Sequence, residues 1–226
     1  MEDAADPILN HPTFRNAAHR IGVGAWGIAF AVIAFFSSSA PAIAESSFPA
    51  KQADRLHALG RAAPTWAWIR FCQKQPQECR IDRSQPERIA LTPSAWAILQ
   101  KVNEHVNATV LAVTDQDHWG VFDRWDYPDD GLGDCEDIQL LKRRLLVQAG
   151  LPQRALRIAA VIDEQGQGHA VLMVLTDQGD FILDNKRDAV LPWRQTGYSY
   201  IKRESTNART WVALGDQATP AFTANR

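Results

Sequence analysis

Cysteine is scarce in this sequence, and neither sign of charge is in large excess. The 226 residues include 3 cysteines, 24 Lys and Arg, and 26 Asp and Glu, for a formal net charge of −2. This balance does not favour binding to nucleic acid or to an anionic membrane surface. A long apolar run is missing as well, because residues 21–36 fall short of the ~20 apolar residues that span a bilayer. The composition is typical of a globular domain.

The first 44 residues have the order of a secretory signal. Arg15 and Arg20 precede the apolar run, and the small residues APAIA at 40–44 supply a cleavage site. We therefore expect cleavage after Ala44, export to the periplasm, and one mature domain over residues 45–226 with its core at about 66–214. The alternative is an uncleaved anchor that holds the domain at the inner membrane, facing the periplasm.

The odd number of cysteines predicts one pair and one free thiol. Cys72 and Cys79 lie close together in FCQKQPQEC, with Pro76 between them. A zinc site is an alternative for this pair, but no histidine lies nearby at ligand spacing. The predicted export favours a disulfide. Cys135 then remains as the unpaired thiol.

Helical periodicity occurs in the first part of the predicted domain, and alternation of apolar and polar residues follows in the last part. Helices are predicted over residues 65–75 and 94–106, the first with Trp66, Ile69 and Phe71 facing the core. Strands are predicted over residues 110–114, 155–162, 169–175, 180–184, 198–203 and 210–214. Helices followed by strands predict an α+β fold with an antiparallel sheet.

The stretch GLGDCEDIQLLKRRLLVQAG, residues 131–150, places a thiol at the start of a helix, after a loop predicted over 115–133. Cys135 takes the first helical position, with Asp134 as the predicted cap and Asp137 as its partner. The predicted buried face consists of Ile138, Leu141 and Leu145. Free N–H groups and the positive end of the helix dipole favour a thiolate and can also hold an oxyanion. Cys135 is therefore the candidate nucleophile.

Two predicted strands carry a candidate histidine partner and an acid that could orient it. If residues 176–179 form a four-residue loop, Asp184 faces Val171 and lies diagonal to His169, roughly 7 Å away at the backbone. A two-residue turn at Gln178 and Gly179 would instead set Asp184 opposite Met173, about 13 Å along the strand from His169. A triad of Cys135, His169 and Asp184 thus depends on the longer loop or on an equivalent bulge.

Two blocks together, GDCEDIQLLKRRLLVQAG and HAVLMVLTDQGDFILDN, resemble the bacterial transglutaminase-like cysteine proteinases, a family that includes the LapG-like periplasmic proteases. Supporting segments are VNEHVN, WGVFDRWDYP and LPWRQTGYSYIKRES. The resemblance covers about residues 66–211 and implies a papain/transglutaminase-like α+β fold. It implies Cys135 as the nucleophile, His169 as the general base and acid, and Asp184 as the group that orients the imidazole.

The resemblance also implies partners and a cofactor. Members of the family release biofilm cells by cutting a large surface adhesin, and an inner-membrane cyclic-di-GMP receptor restrains them. They use calcium, which here would be bound by Asp134 and Glu136, with Asp137 as a weaker candidate. Residues 123–137 contain seven acids and one base, a charge that opposes a thiolate. Bound Ca²⁺ would neutralise part of it.

The sequence leaves several points open. The oxyanion would be held by the Cys135 N–H and a second donor, for which Asn103 and Trp125 are candidates, while Asn185 would support the Asp184 loop. The same triad could transfer an acyl group to an amine, as transglutaminases do. A non-catalytic periplasmic binding module that keeps the fold is the remaining alternative.

Overall fold

An antiparallel sheet of seven strands forms the centre of the protein. The computed structural model describes residue 48 and residues 53–214, so the predicted signal peptide, residues 1–44, lies outside the described residues. The strands are β1 (Gly60–Ala62), β2 (Leu111–Ala112), β3 (Leu132–Gly133), β4 (Leu156–Ile162), β5 (Gly168–Thr176), β6 (Gly179–Asp184), β7 (Arg187–Pro192), β8 (Ser199–Glu204) and β9 (Trp211–Ala213). The main sheet has the order β1-β9-β8-β4-β5-β6-β7, and β2 pairs separately with β3. The predicted α+β class is confirmed.

The main helices precede the long strands, as predicted. They are α1 (Trp66–Lys74), α2 (Pro93–Thr109), α3 (Asp115–Trp119) and α4 (Cys135–Gln148). Thr65, Thr92 and Thr114 cap the first three, each accepting a hydrogen bond from the N–H three residues on. The prediction of a loop over 115–133 is wrong, because α3 and β3 lie in it. Among the described residues, no helix is both long and apolar enough to cross a bilayer.

Helix α1 buries part of the predicted face. Phe71 is buried as predicted and Ile69 is half-buried, but Trp66 is 77% exposed and Trp68 is buried instead. The indole N–H of Trp68 donates to Glu204 of β8 at 2.8 Å, and Cys72 forms a disulfide with Cys79 across a Cα–Cα distance of 5.6 Å. The contact with the distant Glu204 holds Trp68 in the core, which the periodicity of the helix does not reveal.

Helix α4 buries charged side chains in place of part of the predicted apolar face. Ile138 is buried as predicted, but Leu141 and Leu145 are only half-buried. Lys142 and Arg143 are fully buried instead. Their partners come from other elements, since Lys142 donates to Asn103 of α2 at 2.7 Å and Arg143 to Glu204 at 2.7 Å.

Glu204 neutralises a buried cationic pair. Its Oε2 accepts from Arg143 at 2.7 Å and from the N–H of Ile158 at 3.0 Å. Burial raises the pKa of Glu204, but the charges of Arg143 and Arg157 outweigh it, so its pKa lies below the ordinary value. The carboxylate therefore stays ionised in the core.

The change Glu204→Gln is expected to lower the free energy of unfolding by about 3–5 kcal/mol, because it leaves buried arginines without a counter-charge. Urea denaturation measures this loss. Glu87→Gln is the matched control, since Glu87 makes a more exposed pair with Arg154 and its removal should cost at most about 1 kcal/mol. Equal losses for the two variants would contradict the assigned role of Glu204.

The β5–β6 hairpin has the register that the candidate triad requires. Leu175 pairs with Asp180 and Leu172 with Leu183, so the next step of the register sets Asp184 opposite Val171. The turn is tighter than the four-residue loop, because Thr176 also pairs with Gly179 and only Asp177 and Gln178 remain in the turn. This turn keeps the pairing of Leu175 with Asp180, unlike a turn at Gln178 and Gly179. Gly179 has φ +124°, and a Cβ there would lie 2.3 Å from the carbonyl oxygen of Ala53. Glycine is therefore needed at this position.

Candidate active site

The start of helix α4 presents the free thiol of the protein. Cys135 is half-buried and is not disulfide-bonded. Gly133 lies two residues before it, and a Cβ there would lie 2.9 Å from the Cβ of Asp137, so the loop can approach the first helical turn only with glycine at that position. The N–H of Cys135 is among the first four of the helix, which have no intrahelical acceptor.

Negative charge surrounds the thiol, as its sequence neighbours suggest. The Sγ of Cys135 donates to Glu136 Oε2 at 3.0 Å. Burial, followed by the charges of Glu136 and Asp134, raises the pKa of Cys135 well above its ordinary value, and a hydrogen bond from the backbone of Ala170 opposes the rise. With these acids ionised, the thiol is the stable form.

Strand β5 brings His169 to the same place, because Ala170, which bonds the sulfur, is the next residue along the strand. His169 is buried, and its Nε2 lies 2.8 Å from Asp184 Oδ1. The structure thus brings the predicted His169 and Asp184 into direct contact and sets the backbone of this strand against Cys135. Because Nε2 is bound to Asp184, Nδ1 is the ring nitrogen that can accept a proton from a thiol.

Asp184 is held by more partners than the sequence indicated. Tyr198 donates to its Oδ2 at 2.6 Å, and the N–H of Lys186 to its Oδ1 at 3.1 Å. Burial would raise the pKa of Asp184, but His169 and Tyr198 lower it to about 2. The carboxylate is therefore ionised at neutral pH. Sequence reasoning missed Tyr198, because nothing in its local pattern separates it from a core tyrosine.

Helix α2 anchors the turn that follows Asp184. Asn107 Nδ2 donates to the carbonyl of Asp184 at 3.0 Å, and Asn103 Nδ2 donates to the carbonyls of Arg187 and Asp188, each at 2.8 Å. Asn103 therefore cannot donate to an oxyanion, and its candidacy for that role is wrong. Asn185 accepts from Gln139 at 3.3 Å, in agreement with the expected support of the Asp184 loop.

The other candidate donor is also engaged elsewhere. The indole of Trp125 hydrogen-bonds the carboxylate of Asp123, one of several influences on the pKa of that group. Trp125 is buried and forms a wall of a small cavity that Glu136 and His169 also line. We therefore assign Trp125 to the wall of the site.

A group of buried carboxylates lies beside the thiol, and we call it the acidic cluster. Ligand oxygens of Asp115, Asp123 and Glu136 lie within 4.8 Å of one another, and those of Asp134 and Glu136 lie within the same distance of each other and of the Cys135 sulfur. Asp134 Oδ1, Asp123 Oδ1 and Glu136 Oε1 are buried without a hydrogen-bond partner in the described part of the chain. The cluster consists of Asp115, Asp123, Asp134 and Glu136.

Burial and mutual repulsion make this cluster unfavourable when it is fully ionised. Both effects raise the pKa of Asp134 to about 7 and the pKa of Glu136 well above its ordinary value. Burial also raises the pKa values of Asp115 and Asp123. Sets of carboxylate oxygens at this spacing are the ligands that Ca²⁺ prefers, so the cluster fits a bound cation.

The cluster differs from the predicted ligand set. Asp134 and Glu136 belong to it as predicted, but sequence reasoning missed Asp115 and Asp123, which come from α3 and from the loop before the thiol. Asp137 instead accepts a hydrogen bond from the N–H of Asp126 at 2.7 Å. The predicted capping by Asp134 is also wrong, because its side chain makes no cap hydrogen bond and faces the cluster.

Comparisons with known proteins give one family and one set of solved structures. A family model described as bacterial transglutaminase-like cysteine proteinase matches residues 59–219. Legionella pneumophila LapG is 29% identical, with 56% of this chain and 73% of that chain covered, at a TM-score of 0.46. Its EGTA-treated form is 27% identical, with 56% and 70% covered, at a TM-score of 0.46. Its calcium-bound form is 22% identical, with 72% and 87% covered, at a TM-score of 0.47. No curated protein matches the chain.

Proposed function

The chain belongs to the bacterial transglutaminase-like cysteine proteinases and is a cysteine peptidase, and on this premise we propose that Cys135, His169 and Asp184 form its catalytic triad. The observation that carries the proposal is the buried contact of 2.8 Å between His169 Nε2 and Asp184 Oδ1, on the strand that meets the thiol. Asp184 fixes the imidazole and stabilises its protonated form.

The triad would cleave a peptide bond in two steps. The Cys135 thiol gives its proton to Nδ1 of His169, and the sulfur attacks the peptide carbonyl carbon. The Cys135 N–H donates to the oxyanion that forms. His169 then returns the proton to the leaving amine, which yields a thioester. A water molecule, deprotonated by His169, hydrolyses the thioester and restores the thiol.

We also propose that the acidic cluster binds one calcium ion. Asp115, Asp123, Asp134 and Glu136 would be its protein ligands, and the unpartnered buried oxygens of three of them support this assignment. When bound, calcium supplies positive charge that offsets the carboxylates beside Cys135. The chain's own part is to hold these oxygens on α3, on the following loop and on the first turn of α4.

We further propose that the enzyme acts in the periplasm on a cell-envelope protein. The leader pattern of residues 1–44 supports export, and the Cys72–Cys79 disulfide is typical of an oxidising compartment. A large repeat adhesin would be the substrate, and biofilm attachment the property controlled. An inner-membrane cyclic-di-GMP receptor would be the regulatory partner.

Hydrolysis and acyl transfer are separated by one assay. The purified domain is incubated with casein, calcium and a fluorescent amine, and mass spectrometry detects both new N-termini and amine adducts on glutamine. We expect new N-termini and no adducts. Adducts without cleavage would establish an acyl transferase, and the absence of both products would contradict the assigned triad chemistry on this substrate.

Tyr198→Phe is expected to lower kcat by about tenfold. The change removes the hydrogen bond from the Tyr198 hydroxyl to the charged Oδ2 of Asp184, and this bond helps to orient the carboxylate. KM should change little, since Tyr198 is buried and its hydroxyl bonds Asp184. Steady-state kinetics measure both constants. Tyr200→Phe is the matched control, because its hydroxyl bonds Thr196 instead. A fall in kcat that both variants share would contradict the specific role of Tyr198.

A further inference from the structure

A second cavity, of about 180 Å³, lies between helix α1 and residues 121–125. Its α1 wall consists of Ala67, Arg70, Phe71 and Lys74. These residues follow one another at helical spacing and therefore lie on one face of α1. Val121, Asp123, Arg124 and Trp125 form the opposite wall. At about 30 Å³ per water, the space holds roughly six waters, or one amino acid side chain of medium size.

The cavity adjoins the candidate active site. Asp123 and Trp125 line both this cavity and the smaller one that contains His169 and Glu136. The carboxylate of Asp123 lies within 4.8 Å of that of Glu136, which is itself 3.0 Å from the Cys135 sulfur. Because the two cavities share the Asp123 and Trp125 walls, an extended peptide, at about 3.3 Å per residue, would pass from one to the other in roughly two or three residues.

The charge of the cavity walls is positive on the α1 side. Arg70 and Lys74 are exposed, and neither forms an ion pair within 4.0 Å among residues 53–214. Arg124 is already engaged by Asp126 at 2.8 Å and by the Trp119 ring at 4.1 Å. Asp123 is the one acid of the lining; its carboxylate faces the acidic cluster, and burial raises its pKa while the charge of Arg70 opposes that rise. Lys74 is therefore the cation of this wall that is independent of the cluster.

The floor of the cavity is apolar. Phe71 and Trp125 are both buried, and their rings lie 6.4 Å apart. A glutamate or aspartate side chain could rest its methylene groups against them and extend its carboxylate to Arg70 and Lys74. A basic side chain would meet the same two cations and be repelled.

We propose that this cavity is a substrate subsite for an acidic side chain two or three residues from the cleaved bond, with Arg70 and Lys74 as its charge partners. The proposal rests on the peptidase function proposed above. It makes Arg70 and Lys74 specificity-determining residues, whereas the catalytic groups stay those of the triad.

The test is cleavage of a proteome-derived peptide library by the purified domain with calcium present, and mass spectrometry identifies the cleavage sites. We expect wild-type protein to enrich Asp and Glu at one position within three residues of the cut. Lys74→Glu should reduce that enrichment about fivefold, because one exposed ion pair contributes only a small factor. Arg70→Glu/Lys74→Glu should replace the acidic preference with a preference for Lys and Arg, because the charge of the wall is reversed. Lys74→Arg should retain the wild-type preference.

Lys101→Glu is the matched control, because Lys101 is exposed on α2 and does not line the cavity. Its cleavage profile should equal that of the wild type. Melting temperatures show whether each variant is folded, and Lys74→Gln replaces any variant that is not. Cleavage without acidic enrichment, or enrichment unchanged both by Lys74→Glu and by the double variant, would overturn the subsite alone. No cleavage of any peptide by the wild type would overturn the peptidase function and the subsite with it.

Discussion

Replacing Cys135 by alanine is expected to reduce peptide hydrolysis by at least about four orders of magnitude, because the triad acts as a unit and its nucleophile is removed. The melting temperature should not fall, since the change deletes one half-buried sulfur at the start of a helix. Release of fluorescence from a quenched peptide measures the activity, and circular dichroism measures the fold.

Thiol alkylation supplies an independent check of the same residue. Cys72 and Cys79 are joined, so iodoacetamide should label the native protein once, at Cys135, and inactivate it in proportion to labelling. His169→Ala should slow the labelling, because the thiol loses its proton acceptor. Hydrolysis that survives in Cys135→Ala would remove this residue from the mechanism.

Removing calcium with EGTA is expected to lower both activity and stability. Without the cation, the acidic cluster opposes ionisation of Cys135, and each unit by which its pKa rises lowers the thiolate fraction about tenfold. Calcium at about one hundred times its dissociation constant should stabilise the fold by about 2.7 kcal/mol. For a domain of this size, that corresponds to a rise in Tm of about 5–10 °C.

Variants of the acidic cluster make this prediction specific. Asp123→Asn and Glu136→Gln should abolish the calcium-dependent rise in Tm. Glu136→Gln should also raise the Tm of the calcium-free protein, because it removes one charge from a repulsive group. Asp129→Asn is the control, since Asp129 is an exposed acid of the same loop that pairs with Arg144. It should respond to calcium as the wild type does.

Three outcomes together would contradict the calcium site: no heat of binding by calorimetry, an unchanged Tm in EGTA, and full activity in EGTA. Magnesium at the same concentration should not reproduce the rise in Tm, because it requires a tighter, near-octahedral site and loses water reluctantly. Equal shifts for the two ions would point to non-specific screening of the acids.

The contact between His169 and Asp184 could be predicted from local sequence patterns. The apolar runs of β5 and β6 predict both strands, which are buried on both faces. Because burial then hardly distinguishes the two faces, the register with Asp180 opposite Leu175 is fixed by the tight turn that ends at Gly179. Edge strands such as β1 and β7 were not predicted, because three to six residues with charged members carry little periodic signal.

Local sequence by itself determined the α+β class, the helix that begins at Cys135 and the hairpin that pairs His169 with Asp184. Each follows from the pattern of apolar residues and turn residues within a short stretch of chain. Tertiary structure alone decided that Asp115 and Asp123 join the acidic cluster, that Tyr198 holds Asp184, and that Lys142 and Arg143 are buried. The physical reason is that burying a charge is favourable only with its partner in place, and the partners of Lys142 and Arg143 lie 39 and 61 residues away along the chain.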